Sequence, residues 1–305
     1  MSRIGVDIGG TKIHAVLLDA FGEAVDSVRM PTPRGEAAVL GGVISAVEAL
    51  SERCSLSDPV DEIGVGIPGA VDLASGRVAN AVNLGISELD LGEELRQRFG
   101  RPVHVDNDVN AAALGVHHLL MKAGDAPASL AYLNIGTGMA AGIVIDGALW
   151  RGFGGAAGEV GHLPLSGASE LCPCGQRGCI ETVASGSALI RRWGSERPVA
   201  ALFEEARRGN RDARAIVDDF ARGVAAAIQT LALTIAPDRI VIGGGVTAAG
   251  EALLTLIRDA LETLARGVPF FEALTLQERV SFANFESAAA LGAALGGVRH
   301  RASRL

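Results

Sequence analysis

Two stretches of this chain 127 residues apart read as one local structure written twice. VDIGGTKIHAVLLDA, beginning at Val6, lies over LNIGTGMAAGIVIDG, beginning at Leu133, so that Asp7 meets Asn134, Ile8 meets Ile135, Gly9 meets Gly136, Val16 meets Ile143 and Asp19 meets Asp146. Each copy reads as strand, glycine turn, strand, acidic turn. A repeat separated by a whole domain's length predicts two related halves facing each other across a cleft. The 305 residues agree, since ~100–200 residues per domain favours two domains. The expected class is α/β.

Around these copies the first part reads as a three-stranded meander (Arg3–Ile8, Ile13–Leu18, Ala24–Met30). A helix follows from Glu36 to Arg53, with Val39, Val43, Val47 and Leu50 on one face. Buried strands at Ile63–Ile67 and Val103–Val105 close in Pro68-Gly69 and in Asp106-Asn107-Asp108, and an alanine-rich helix spans Asn110–Leu120. After the second copy come a long helical pattern over Arg211–Ile235, a strand at Arg239–Ile242, Gly243-Gly244-Gly245, a helix over Gly250–Ala265 and a last helix near Ser287–Val298.

Composition narrows the function. Hydrophobic residues make up 49% and charged residues 20%, enough apolar material for substantial cores and unlike a disordered chain. The net charge is −8 with no basic run beyond Arg pairs, so the electrostatic footprint of a nucleic-acid binder is missing. No signal-peptide core precedes Asp7, and the apolar stretch Val224–Ala236 is too short to span a bilayer, which predicts a cytoplasmic chain without a membrane partner.

The glycine turns can bring backbone N–H groups close to an anion, because glycine has no Cβ to hold a phosphate away. Thr11 and Thr137 add hydroxyl donors. Asp7 suits Mg²⁺, which takes one or two carboxylates plus phosphate oxygens and keeps several waters. Ordinary tight hairpins are the alternative for either turn. A dinucleotide site at Gly136-x-Gly138-x-x-x-Gly142 is rejected, because a strand follows the glycines where that fingerprint needs a helix. Asp108 stands where a strand gives way to a helix. It is either a helix N-cap or a carboxylate general base next to a phosphate cradle, which is what phosphoryl transfer to an alcohol requires.

His162, Cys172, Cys174 and Cys179 have the spacing H-x₉-C-x-C-x₄-C. One imidazole and three thiolates make a closed tetrahedral zinc set with no position left for water, so this zinc would be structural. Glu159 and Glu181 bracket the ligands, either held toward a sugar's hydroxyls or solvated at the surface. Cys54 stands apart and reads as a small buried hydrophobe.

Taken together, DIGGTK at Asp7, GIPGAVD at Gly66, VDNDVNAAALG at Val105, NIGTG at Asn134, GAAGEVGH at Gly155, CPCGQRGCIE at Cys172 and IVIGGGV at Ile240 resemble the ROK family of bacterial sugar kinases nearly end to end. The cysteine block with GEVGH is the specific part. The resemblance implies a two-domain actin-like ATPase (ribonuclease H-like) fold. Residues 1–117 would form the smaller domain with a C-terminal helix at about 287–305 packing back on it, and residues 118–286 a larger domain with the zinc loop and ATP site. It implies an ATP-dependent kinase for a hexose 6-hydroxyl, glucose first, with Asp108 as catalytic base. Sugar contacts would come from Gly69, Asn107, Asp108, Glu159, His162 and Glu181, and His162 could use one ring nitrogen for zinc and the other for a sugar hydroxyl. Gly9, Gly10, Thr11, Lys12, Gly136, Thr137 and Gly138 would hold ATP phosphates, Gly243, Gly244 and Gly245 would pass under the adenosine, and the protein would be a homodimer.

Two features depart from the pattern. Met139, Ala140 and Ala141 follow Gly138 where many members are richer in glycine, and Asn83-Leu84-Gly85-Ile86-Ser87 lacks the Trp that glucokinase-like members often carry. N-acetylmannosamine, N-acetylglucosamine, mannose, fructose and allose kinases and a polyphosphate-using glucomannokinase therefore stand as alternatives. A sugar-responsive regulator of the same family is disfavoured, since its DNA-binding helix-turn-helix would precede Asp7.

Overall fold

The computed structural model describes residues 1–53, 60–194, 199–283, 285 and 287–302, from 297 onward as backbone only; Cys54 lies outside them. The chain divides into two compact units. The first comprises Met1–Ala126, Val144–Trp150 and the segment from Phe285 onward, and the second comprises Pro127–Ile143 and Arg151–Asn284.

In the first unit β1 (Ser2–Ile8), β2 (Lys12–Leu18) and β3 (Ala24–Pro31) form the expected antiparallel meander. Helix α1 (Glu36–Ser51) leads to β4 (Val60–Ile67). The short strands β5 (Ala70–Asp72), β6 (Arg77–Ala81) and β7 (Ile86–Leu89) make a separate antiparallel sheet. Helix α2 (Leu91–Phe99), β8 (Val103–Asn107) and α3 (Asp108–Lys122) follow. The main sheet has the order β3-β2-β1-β4-β8, with β1, β4 and β8 parallel.

Side chains alternate across a strand, and β1 uses both faces. Ile4, Val6 and Ile8 are fully buried in one core with Val39, Val43, Val47 and Leu50 of α1. Gly5 and Asp7 belong to the opposite face.

The second unit begins with β9 (Ser129–Ile135) and β10 (Met139–Ile145), which coincide end for end with β1 and β2 shifted by the repeat distance. Next come β11 (Ala148–Leu149), which with Val144 and Ile145 at the end of β10 belongs to the first unit, and then, in the second, α4 (Gly186–Trp193), α5 (Val199–Arg207), α6 (Arg211–Thr234), β12 (Arg239–Gly243), α7 (Glu251–Ala265), α8 (Pro269–Glu272) and β13 (Val280–Phe282). The sheet order β11-β10-β9-β12-β13 repeats the connectivity of the first sheet. A meander is followed by two strands added in parallel, so the duplication seen in sequence is a duplication of topology. The buried stripe of α6 (Ile216, Val217, Phe220, Val224, Ile228, Leu231) anchors the core of this unit. No described helix is long and apolar enough to cross a membrane.

The last helix, α9 (Ala288–Ala302), belongs to the first unit. It lies on the face of the sheet that α1 leaves open, against α3, β1 and β4. Glycine permits this approach. A Cβ on Gly5 would fall 1.9 Å from the Ala290 carbonyl oxygen, one on Gly64 1.9 Å from that of Ala293, and one on Gly115 of α3 1.8 Å from that of Ala288. Because those obstacles are backbone, Gly115→Ala must push α3 and α9 apart, and overpacking of this kind costs about 1–3 kcal/mol. A melting temperature lowered by several degrees is expected; an unchanged one would contradict this packing.

Candidate active site

Parallel strands bring the N-terminal site residues to one sheet edge. Asp7 on β1 is in register with Gly66 on β4, which is in register with Asp106 on β8, and Ile67 pairs with Asn107. Gly66 lies under the start of α3, where its Cβ would sit 3.5 Å from the Cα of Asp108. Asp7 and Asp108 therefore share one small space at the ends of the strands.

The start of α3 settles which residue caps it. Asn107 is the N-cap, its Oδ1 accepting from the Val109 amide at 2.9 Å, while its Nδ2 donates to the Gly69 carbonyl at 3.3 Å. Asp106 Oδ1 accepts from the Asn107 amide (2.8 Å) and from Asn110 Nδ2 (3.1 Å), fixing the turn from behind. With capping assigned to Asn107, the carboxylate of Asp108 accepts a 3.0 Å bond from Val109 N–H. Burial pushes Asp108 up to about 6, against the lowering effect of backbone N–H groups. Asp7 is pushed up to about 7, first by burial and then by the charge of Asp108, with Lys12 opposing. Two crowded acids of this kind suit a divalent cation, which is the fit Mg²⁺ requires.

The first glycine turn is closed by Gly9 N–H donating to the Lys12 carbonyl at 2.9 Å. Thr32, which no sequence motif marked, braces it: its Oγ1 donates to Gly9 O at 2.7 Å and its N–H to Thr11 O at 3.1 Å. Gly10, Thr11 and Lys12 are exposed.

In the second unit His162, Cys172, Cys174 and Cys179 converge, with their donor atoms all within 4.8 Å of one another. Cys174 and Cys179 Sγ are 3.7 Å apart, as are Cys172 Sγ and His162 Nδ1. Donors about 2.3 Å from one tetrahedral centre lie about 3.8 Å from each other, so the set fits zinc. Gln176 clamps the loop by donating to the His162 carbonyl (2.7 Å) and to Cys179 Sγ (3.2 Å). Nδ1 of His162 faces the thiols, whereas Nε2 faces Glu159 Oε2 at 3.8 Å. The two flanking acids differ: the side chain of Glu159 is 55% exposed and that of Glu181 only 16%. Glu181 Oε1 accepts from Cys172 Sγ at 3.1 Å, and Oε2 accepts from the Met139 amide at 3.4 Å.

That last contact ties the cysteine loop to the second glycine turn, and others reinforce it. Ala141 N–H donates to Gly158 O at 2.7 Å, and Gly186 N–H at the start of α4 donates to Gly136 O at 2.8 Å. The hydroxyl and N–H of Ser187 both donate to Thr137 O. A Cβ on Gly158 would fall 1.8 Å from Ala141 O, and one on Gly161 2.1 Å from Met139 O, which accounts for the glycines of GEVGH. At the end of β12, Gly243 is required by the Tyr132 hydroxyl, 2.0 Å from its would-be Cβ, and Gly244 by φ +89°. Gly245 has open space around it.

A duplicated meander-plus-parallel sheet, a glycine turn after the first strand of each copy and a buried acid at the strand ends define an actin-like ATPase fold. The sequence profile of the ROK family matches residues 3–295. A glucokinase of Halalkalibacterium halodurans is 35% identical over 286 residues, covering 86% of each chain. Among solved structures, a ROK hexokinase from Thermus thermophilus superposes with a TM-score of 0.80 at 32% identity, over 99% of this chain and 100% of that one. A ROK glucokinase from Streptomyces griseus, solved with glucose and AMPPNP, does so with 0.77 at 31% identity, over 96% and 98%. The chain belongs to the ROK family and has the fold of its sugar kinases.

Proposed function

We propose that this ATP-dependent sugar kinase transfers the γ-phosphate of ATP to the 6-hydroxyl of a hexose, with glucose as the preferred acceptor. The observation that carries the reading is Asp108: a half-buried carboxyl raised to about 6, relieved of helix capping by Asn107. At neutral pH it is ionised yet basic enough to take a proton, the compromise a general base needs. Its Oδ oxygens receive the proton of the 6-hydroxyl as that oxygen attacks phosphorus. Asn107 and Gly69, already joined to each other, orient the sugar together with Glu159, His162 Nε2 and Glu181.

Backbone N–H groups of Gly9–Thr11 and Gly136–Gly138, with the charge of Lys12, hold phosphate oxygens, and Gly243–Gly245 accommodate the nucleoside. Mg²⁺ held through Asp7 supplies charge neutralisation on the phosphates. Zinc on His162, Cys172, Cys174 and Cys179 is structural, since four protein donors fill its coordination. Glucose is favoured by the glucokinases among the relatives, not by a sugar-selecting residue in this chain.

The test is a panel of hexoses and N-acetylhexosamines against ATP and polyphosphate. Glucose with ATP is expected to give the highest kcat/KM, at least about tenfold above the other sugars. A different best sugar would replace the acceptor, and polyphosphate as best donor would replace ATP. No phosphorylation of any sugar would overturn the reading.

A further inference from the structure

The loop that carries the cysteines also holds the second glycine turn in place. Glu181 touches both: one carboxylate oxygen lies 3.1 Å from Cys172 Sγ and 3.6 Å from His162 Nδ1, and the other accepts from the Met139 amide at 3.4 Å. Gly138 is packed directly on that second oxygen, 2.9 Å from the position its own Cβ would take. Upstream of Glu181, Gly158 and Gly161 lie against the carbonyls of Ala141 and Met139. Downstream, Gly186 and Ser187 bind the carbonyls of Gly136 and Thr137. Residues 136–141 are thus bounded on several sides by the segment that the four metal donors organise.

We propose that metal occupancy at His162, Cys172, Cys174 and Cys179 is thermodynamically coupled to nucleotide binding at Gly136-Thr137-Gly138, with Glu181 as the positioning residue that carries the coupling. The proposal rests on the reading of that turn as a phosphate cradle. Zinc takes Cys172 as a thiolate and His162 through a ring nitrogen, so metal binding removes the S–H donor that Glu181 Oε1 meets in the thiol form and sets a thiolate beside that carboxylate, while Glu181 Oε2 holds the Met139 amide at the exit of the turn. Gain or loss of the metal therefore changes what Glu181 Oε1 meets, and through the same carboxylate it changes the support given to the turn. Linkage makes the effect reciprocal: whatever factor zinc adds to nucleotide affinity, nucleotide adds to zinc affinity.

Binding measurements test this without turnover. ADP is titrated calorimetrically into zinc-loaded and chelator-stripped protein, and zinc affinity is read by competition with a chromophoric chelator with and without saturating ADP. Zinc is expected to change the ADP dissociation constant of wild type by about fivefold or more, and ADP to change the zinc dissociation constant by the same factor in the same direction. Should the stripped chain lose its fold by circular dichroism, the competition arm on the loaded protein still reads the coupling. Glu181→Ala leaves the four donors intact and is expected to bring the factor close to one. Gly138→Ala, whose methyl displaces the flexible carboxylate, is expected to change zinc affinity although it alters no ligand. A factor near one in wild type, or an undiminished factor in Glu181→Ala, overturns the proposal. Absence of ADP binding to the zinc-loaded protein would instead overturn the phosphate-cradle reading beneath it.

Discussion

Asp108→Asn is expected to lower kcat by about 100- to 10,000-fold, the range over which a positioned general base contributes, while the sugar dissociation constant stays within about threefold. The amide keeps the shape of the carboxylate and an acceptor oxygen but cannot take the hydroxyl proton. A loss confined to kcat with ground-state binding retained is the signature of an interaction made in the transition state. The pH profile gives an independent check. A general base acts as the anion, and the Asp108 carboxyl is raised to about 6, so with Asp108 in that role wild-type kcat/KM should fall about tenfold per pH unit below ~6 and level off above it. The residual activity of the variant should lack that limb. Activity within tenfold of wild type, or an acid limb that survives the substitution, would remove Asp108 from the base role.

What could be read from the sequence was local. Strand–turn–strand units announce themselves by an apolar run interrupted by glycines, so β1, β2, β9 and β10 were visible as a repeat. The thiols and imidazole of the metal cluster are close in sequence as well as in space. The elements that escaped are short or held by distant partners. Strands β5, β6 and β7 are 3, 5 and 4 residues long and carry no sustained alternation, and α2, α4 and α5 are 9, 8 and 9 residues, too brief for a helical period to stand out. The capping question at Asp106-Asn107-Asp108 turns on where α3 begins, two residues before the predicted start. A helix predicted from Asn110 leaves Asp108 open as its N-cap, whereas the observed start at Asp108 assigns the cap to Asn107. The supports of the turns, Thr32 and Ser187, were invisible because each acts on a backbone carbonyl more than twenty residues away. Likewise GEVGH was recognisable as a motif, but its two glycines are explained only by the strand β10 that they press against.

Asp7→Asn is expected to separate stability from activity, raising one and nearly abolishing the other. Asp7 is raised from 3.8 to about 7 by burial and by the facing charge of Asp108. A carboxyl whose pKa rises on folding stabilises the fold in its protonated form. That contribution is complete below the unfolded value and is lost as pH rises through about 7. Asparagine stays neutral throughout, so the variant should melt higher than wild type at pH 8, and the difference should shrink to nothing toward pH 4. A shift of this size corresponds to at most about 4 kcal/mol. With Asp7 only partly enclosed, about 1–2 kcal/mol is the expected gain, or roughly 3–6 °C. Combining it with Asp108→Asn should give less than the sum of the two gains, because removing either charge already relieves the other. The same substitution removes the carboxylate assigned to Mg²⁺, and kcat/KM at saturating Mg²⁺ should fall by about 100-fold or more. Thermal melts across pH, with and without Mg²⁺, check both halves. A variant that melts below wild type at pH 8, or whose difference from wild type does not vary with pH, would show that Asp7 is not the strained acid described above. The strain falls on the two carboxylates proposed to hold the cation and to take the proton.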